Sequence, residues 1–154
     1  MKRKFTLIMI VAVVAVAAML GFSSCDDDDY WNPYPPNGWN NVFYDSDLTG
    51  SWMLVQDNFG NVPPGRTNYL YFNGRGRGNY YYYENGNLYN SRIAYWCEDF
   101  YGSNSNPEIN IQYDNGQAST MSYWFSNNYN NLWMRWSTNQ GIITYCYQYV
   151  DRIP

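Results

Sequence analysis

The chain has 154 residues, a length that suits one domain behind a leader, and a formal net charge of −4. It contains no His, which removes the usual general base and excludes Ser-His-Asp and Cys-His catalysis. Aromatic residues make up 21% of it and charged residues only 14%, a balance that suits pleated, half-buried surfaces and aromatic binding faces.

Lys2, Arg3 and Lys4 open the chain, residues 5–20 are uncharged and apolar, and Gly21, Ser23 and Ser24 are small. This is the layout of a secretory signal peptide, expected to cover residues 1–24. The alternative is a retained membrane helix, because the apolar run approaches spanning length. Cys25 follows at once, and then four consecutive carboxylates, Asp26, Asp27, Asp28 and Asp29. Four adjacent flexible carboxylates lack the spaced ligands and turn of a calcium site. Cleavage before Cys25 removes three of nine bases and leaves six against thirteen acids, a net charge of −7. Such a chain repels phosphate, so nucleic acid is not an expected partner.

Residues 30–47 carry three Pro among many Asn, Asp and aromatics. Pro fixes φ and lacks a donor, so residues 25–47 read as an extended tether. Trp31, Tyr34, Trp39 and Phe43 are unusual in a solvated linker and leave room for part of it to pack back on the domain.

From residue 48 onward, short aromatic or β-branched runs alternate with Asn/Gly turns, and no helical periodicity emerges. Eight strands are predicted, over 50–57, 67–73, 77–84, 88–98, 108–114, 117–126, 131–137 and 141–151. A Pro-Pro-Gly loop at 58–66 separates the first two, and a longer loop at 99–107 precedes the fifth. Asn-Gly between alternating apolar residues is the strongest local hairpin signal, because both residues tolerate positive φ. It occurs at 85–86 and 115–116, with Asn73-Gly74 similar. Sequential hairpins give an all-β meander over 48–154, and closure into an eight-stranded antiparallel up-and-down barrel removes its edges. A two-sheet β-sandwich is the alternative.

Several motifs bear on chemistry. The run Gly74-Arg75-Gly76-Arg77-Gly78 lacks the following helix and Lys of a phosphate loop, so it reads as a tight turn with exposed arginines. Tyr80, Tyr81, Tyr82 and Tyr83 span one strand, so two must face inward and two outward. The carboxylates Asp57, Glu84, Glu98, Asp99, Glu108, Asp114 and Asp151 fall mostly at turns and strand ends. Nothing in the linear sequence pairs two of them as a glycosidase requires. No catalytic residue, cofactor or metal site is expected, and two remaining Cys are too few ligands for zinc. Cys97 and Cys146 either bridge or stay as buried free thiols.

Two resemblances add to this reading. Leu20-Gly21-Phe22-Ser23-Ser24-Cys25 resembles a lipobox of Bacteroides-group lipoproteins, with Phe22 in place of the usual Leu, and the four Asp after it resemble the acidic export signal of the same group. The resemblance implies lipidation of Cys25, a membrane partner through that lipid, and a place on the cell-surface side of the outer membrane. Leu48-Thr49-Gly50-Ser51-Trp52-Met53-Leu54 and the segment from Phe72 to Tyr80 resemble the first strand and an early hairpin of lipocalin-like domains. That likeness implies a barrel around a small ligand. The expected function is therefore a non-enzymatic binding lipoprotein, with a small apolar or aromatic molecule in the barrel or a glycan on an aromatic face. Trp52, Tyr69, Tyr71, Tyr80, Tyr82, Trp124, Trp133 and Trp136 are the expected contacts. The alternative is a structural or adhesive lipoprotein whose filled barrel contacts another protein.

Overall fold

A computed structural model describes residues 31–63, 67–99 and 106–153. The leader, Cys25 and the four Asp lie outside the described residues. The chain divides into two units, Met1–Asn32 and Pro33–Pro154, and the fold below is that of the second.

The strands are β1 (Val42–Phe43), β2 (Gly50–Asp57), β3 (Gly60–Asn61), β4 (Tyr69–Phe72) and β5 (Arg77–Glu84). They continue as β6 (Asn87–Glu98), β7 (Glu108–Tyr113), β8 (Ala118–Ser126), β9 (Asn131–Thr138) and β10 (Gly141–Val150). Each of β2, β4, β5, β6, β7, β8 and β9 pairs antiparallel with the next along the chain, and β10 pairs back with β2. The sheet therefore closes into an eight-stranded up-and-down barrel, and the sandwich alternative is set aside. β3 only forms a short arm against β2.

The turns explain the meander. Asn85 and Gly86 both hold positive φ, 52° and 81°, as a two-residue hairpin with the right twist requires. At the next hairpin Gly116 alone is left-handed, and the Tyr113 N–H donates to the Gln117 carbonyl across a three-residue loop. The Gly-Arg-Gly-Arg-Gly run is a bend with Arg75 and Arg77 exposed, held by the Asn73 side-chain oxygen, which accepts from both arginine amides.

Alternation sorts the walls. Trp52, Phe72, Tyr95, Cys97, Ile109, Tyr123 and Leu132 fill one end of the interior and are almost fully buried. The Phe72 and Tyr95 rings meet edge to face at 4.7 Å. A segment that reads as tether in sequence closes this end. Val42 and Phe43 pair with Glu98 and Cys97 where β6 outruns β5, and the Asn40 N–H donates to the Glu98 carboxylate at 3.0 Å. Asp45 then caps a 3-10 turn, Ser46–Leu48, and accepts a 2.8 Å hydrogen bond from the Tyr123 hydroxyl. Leu48 is buried and its carbonyl accepts the Trp52 indole N–H at 2.7 Å. Residues 33–47 thus belong with the barrel, through contacts distant in sequence. Among the described residues, no helix is long and apolar enough to cross a membrane.

Cys97 and Cys146 are free and buried, so of the two states open to them the bridge is not formed. Three strands separate β6 from β10 in either direction around the barrel. Cys97 sits in the core, whereas Cys146 lies between Tyr145 and Tyr147, which face inward, and so points to the outer side of the wall.

Candidate functional site

The other end of the barrel is open. The interior there holds a cavity of about 590 Å³, within the ~300–1,000 Å³ range of small-molecule sites. Its mouth is framed by the ends of β5 and β9 and by the β7–β8 turn, which bring Tyr82, Tyr83, Trp136, Asn115 and Gln117 together. Its floor is apolar: Leu54, Leu70, Ile111, Met121 and Met134 rise from five different strands.

Beside that floor and above it stand four phenols. Tyr80 on β5, Tyr113 on β7, and Tyr145 and Tyr147 on β10 all line the cavity. The Tyr80 and Tyr113 rings meet edge to face at 5.7 Å, and Tyr145 and Tyr147 lie 6.4 Å apart. Tyr80 also stacks on Tyr82 at 5.7 Å, and Tyr82 on Tyr89 at 5.6 Å, so a file of nearly parallel rings leads outward. Asn68, Ser91 and Ser119 add amide and hydroxyl groups.

Burial pushes the Tyr80 phenol up to about 12, with neighbouring Tyr113, Tyr145 and Tyr82 adding to it and the Asn68 side chain working the other way. Burial raises Tyr113 and Tyr147 too, and each feels other members of the group. Tyr145 is raised by burial and then by the Asp57 carboxylate. Four phenols that influence one another in this way converge on one space and keep their protons at neutral pH. The lining offers ring faces and neutral hydrogen-bonding groups, with no carboxylate, thiol or cation among its described residues. Asp114 stands beside it but is engaged: it accepts from the Ser91 hydroxyl at 2.7 Å and the Arg92 amide at 3.1 Å, with the guanidinium at 3.7 Å. Partial burial opposes its ionisation, but these contacts outweigh it and hold the carboxyl below its ordinary range.

An alkaline response follows. Tyr80, and Tyr95 at the closed end, are each raised to about 12, mainly by burial. The folded chain keeps these protons at a pH where the unfolded chain has lost them, so it binds more protons and stability falls as pH rises from about 10 towards 12. Urea midpoints across that window are expected to drop steeply in the wild type and less steeply in Tyr80→Phe. Equal slopes would show that Tyr80 is not shielded.

Of the contacts expected from sequence, Tyr80, Tyr82 and Trp136 line the cavity. The other five lie elsewhere. Trp52 plugs the closed end. Tyr69 and Tyr71 alternate with the core residues Leu70 and Phe72, so they face outward, Tyr69 covered and Tyr71 exposed. Trp124 and Trp133 pair in register on the outer wall with ring planes 2° apart at 6.0 Å. The Arg135 guanidinium lies 5.2 Å from the Trp124 ring, and the Trp133 indole N–H donates to the Ser126 hydroxyl. The fold also sets Glu98 opposite Glu108, away from the cavity, a carboxylate pairing that the linear sequence hides. Among the described residues, no group of three or more Cys, Asp or Glu is placed to hold a metal ion.

The closed wall, the plugged end and the aromatic mouth define the class: an eight-stranded up-and-down β-barrel with an open internal cavity. No family model and no curated protein matches the chain. Among solved structures it is similar to a redesigned β-barrel, at 12% identity and a TM-score of 0.45, over 68% of this chain and 93% of that one.

Proposed function

We propose that this chain is a surface-tethered lipoprotein whose barrel binds a small apolar or aromatic molecule without transforming it. The observation that carries the binding reading is the open cavity of about 590 Å³ between an apolar floor and a tyrosine-lined mouth. A barrel filled by its own side chains would have favoured the structural alternative. The tether rests on the residues themselves: the basic start, the apolar run, Ser23-Ser24-Cys25 and the four Asp that follow. Two acyl chains or more on one Cys suffice for stable anchoring, and the outer face of the outer membrane is the expected location.

Two experiments test these parts. The full chain is placed in lipid nanodiscs and titrated with N-phenyl-1-naphthylamine, an uncharged fluorescent aromatic, with empty discs subtracted. Saturable binding of one probe per chain is expected, reduced at least tenfold by Ser119→Trp, which fills the cavity from β8. Binding that is absent, or indifferent to that variant, overturns the reading. For the anchor, mass spectrometry of the membrane-extracted protein is expected to find acyl chains on Cys25. A mature chain starting elsewhere would contradict it.

A second reading has one observation in its favour. The stacked Trp124–Trp133 pair with Arg135 beside it forms an aromatic platform on the outer wall, a surface suited to a glycan or another protein.

A further inference from the structure

The cavity has a polarity that narrows its ligand further than shape does. Its floor is aliphatic and thioether beside the buried Tyr147, which stands across from Leu54, its wall carries the phenols of Tyr80, Tyr113 and Tyr145, and its mouth carries Asn115, Gln117 and Trp136. An apolar body entering it finds aliphatic partners in Leu54, Leu70, Ile111, Met121 and Met134. A polar group that it carries meets hydroxyls that can donate or accept, and the side chains of Asn68, Ser91 and Ser119.

Charge is the second observation. Among the described residues the lining holds no Asp, Glu, Lys or Arg, and two carboxylates stand close to it. Asp57 lies close enough to influence Tyr145. Asp114 flanks Ser91, and the one guanidinium beside it, Arg92, is already held against that carboxylate. A carboxylate or sulfonate entering the barrel would give up water for phenols and amides, with no cation among the described lining residues to offset the loss, which is costly in a low-dielectric interior. The same groups suit an uncharged partner, because a buried hydroxyl left without one is costly as well.

The third observation is the file of rings. Tyr89, Tyr82 and Tyr80 stack with interplanar angles of 23° and 20° along one wall, and Tyr113 turns its edge to the last of them. A flat ligand sliding along that wall stays in ring contact from the mouth to the phenol layer.

Resting on the binding reading above, we infer that the barrel takes uncharged, flat aromatic molecules bearing a hydrogen-bonding group, and rejects their anionic counterparts. The selectivity is built by omission, since no described residue of the lining is basic, and by the phenols, which reward a polar substituent.

The test uses the full chain in nanodiscs and two matched pairs of probes. N-phenyl-1-naphthylamine and 8-anilino-1-naphthalenesulfonate share one ring system and differ by the sulfonate. The neutral probe is expected to bind at least tenfold more tightly at neutral pH. Gln117→Arg, at the exposed mouth, is expected to raise the affinity of the sulfonate relative to that of the neutral probe several-fold. In the second pair, 2-naphthol is expected to displace the neutral probe at lower concentration than naphthalene, and the double variant Tyr145→Phe, Tyr147→Phe to abolish that difference. Equal affinity for both members of the first pair, with both lost in Ser119→Trp, overturns the inference and leaves the binding reading standing. So does a naphthol preference that survives in the double variant. If neither naphthyl probe binds, or if both bind Ser119→Trp as they bind the wild type, the binding reading fails and the selectivity with it.

Discussion

Trp52→Ala is expected to destabilise the barrel by about 3–5 kcal/mol, the usual cost of truncating a large buried aromatic. Trp52 is 1% exposed. Its ring meets Tyr149 edge-on at 5.5 Å and Phe125 at 5.9 Å, and its N–H holds the Leu48 carbonyl. Removing it opens a cavity at the plugged end, leaves that carbonyl without its partner, and loosens the segment that closes the barrel. A small domain has only about 5–15 kcal/mol in total, so the urea midpoint should fall sharply. Ile142→Ala, at a side chain 60% exposed on β10, is expected to change it by less than about 0.5 kcal/mol. Equal midpoints for Trp52→Ala and the wild type would remove Trp52 from the core and β2 from its place in the wall.

Gly78→Ala is expected to cost about 3 kcal/mol, the upper part of the ordinary range for overpacking. A Cβ at Gly78 would sit 1.8 Å from the Tyr71 carbonyl oxygen and 2.9 Å from its carbon. Both are backbone atoms, so no side chain can swing aside. The clash falls where Phe72 faces Gly78 and Tyr71 faces Asn79 in the β4–β5 ladder, so relief requires the strands to part. Arg75→Ala, in the same turn with an exposed side chain, is expected to change stability by less than about 0.5 kcal/mol. Chemical denaturation of the two variants checks this directly, and similar midpoints would mean that the strands approach less closely than described.

Gly78 also marks the boundary of what sequence reasoning reaches. The run from Gly74 to Gly78 is legible as a turn because glycine tolerates positive φ, and Gly74 and Gly76 do adopt it. The role of Gly78 is different: it admits another strand's backbone, and no local pattern announces that. The strands themselves were readable almost to the residue, since period-two alternation and Asn-Gly turns are local signals. The closing segment was not. Val42, Phe43 and Asp45 follow a Pro-rich stretch without alternation, and their order comes from β6 and Tyr123, more than fifty residues away.

The site was half legible for a related reason. Alternation tells which residues share a face, but not which face is inside when both are apolar. In Tyr69-Leu70-Tyr71-Phe72 either pair could line a core, and the structure buries Leu70 and Phe72 inside. Trp124 similarly loses the interior to Tyr123 and Phe125. Nor does alternation report depth along the barrel axis. Trp52 and Trp136 both suit an inward position, yet one plugs the closed end and the other stands at the mouth. Tyr113, Tyr145 and Tyr147 were discoverable. Each shares its face with apolar neighbours two residues away, and each strand runs towards or away from the mouth by the meander.

The central claim is that a ligand enters this barrel through its tyrosine-lined end and rests on its apolar floor. Methyl resonances of ¹³C-labelled methionine test it most directly, because Met121 and Met134 form part of that floor while Met53 alternates with Trp52 and Leu54 and faces outward. On adding N-phenyl-1-naphthylamine to the full chain in nanodiscs, the Met121 and Met134 signals are expected to shift under the ring current of the probe and saturate together, with Met53 unmoved. A probe that binds while shifting only Met53, or neither floor methionine, would contradict the claim.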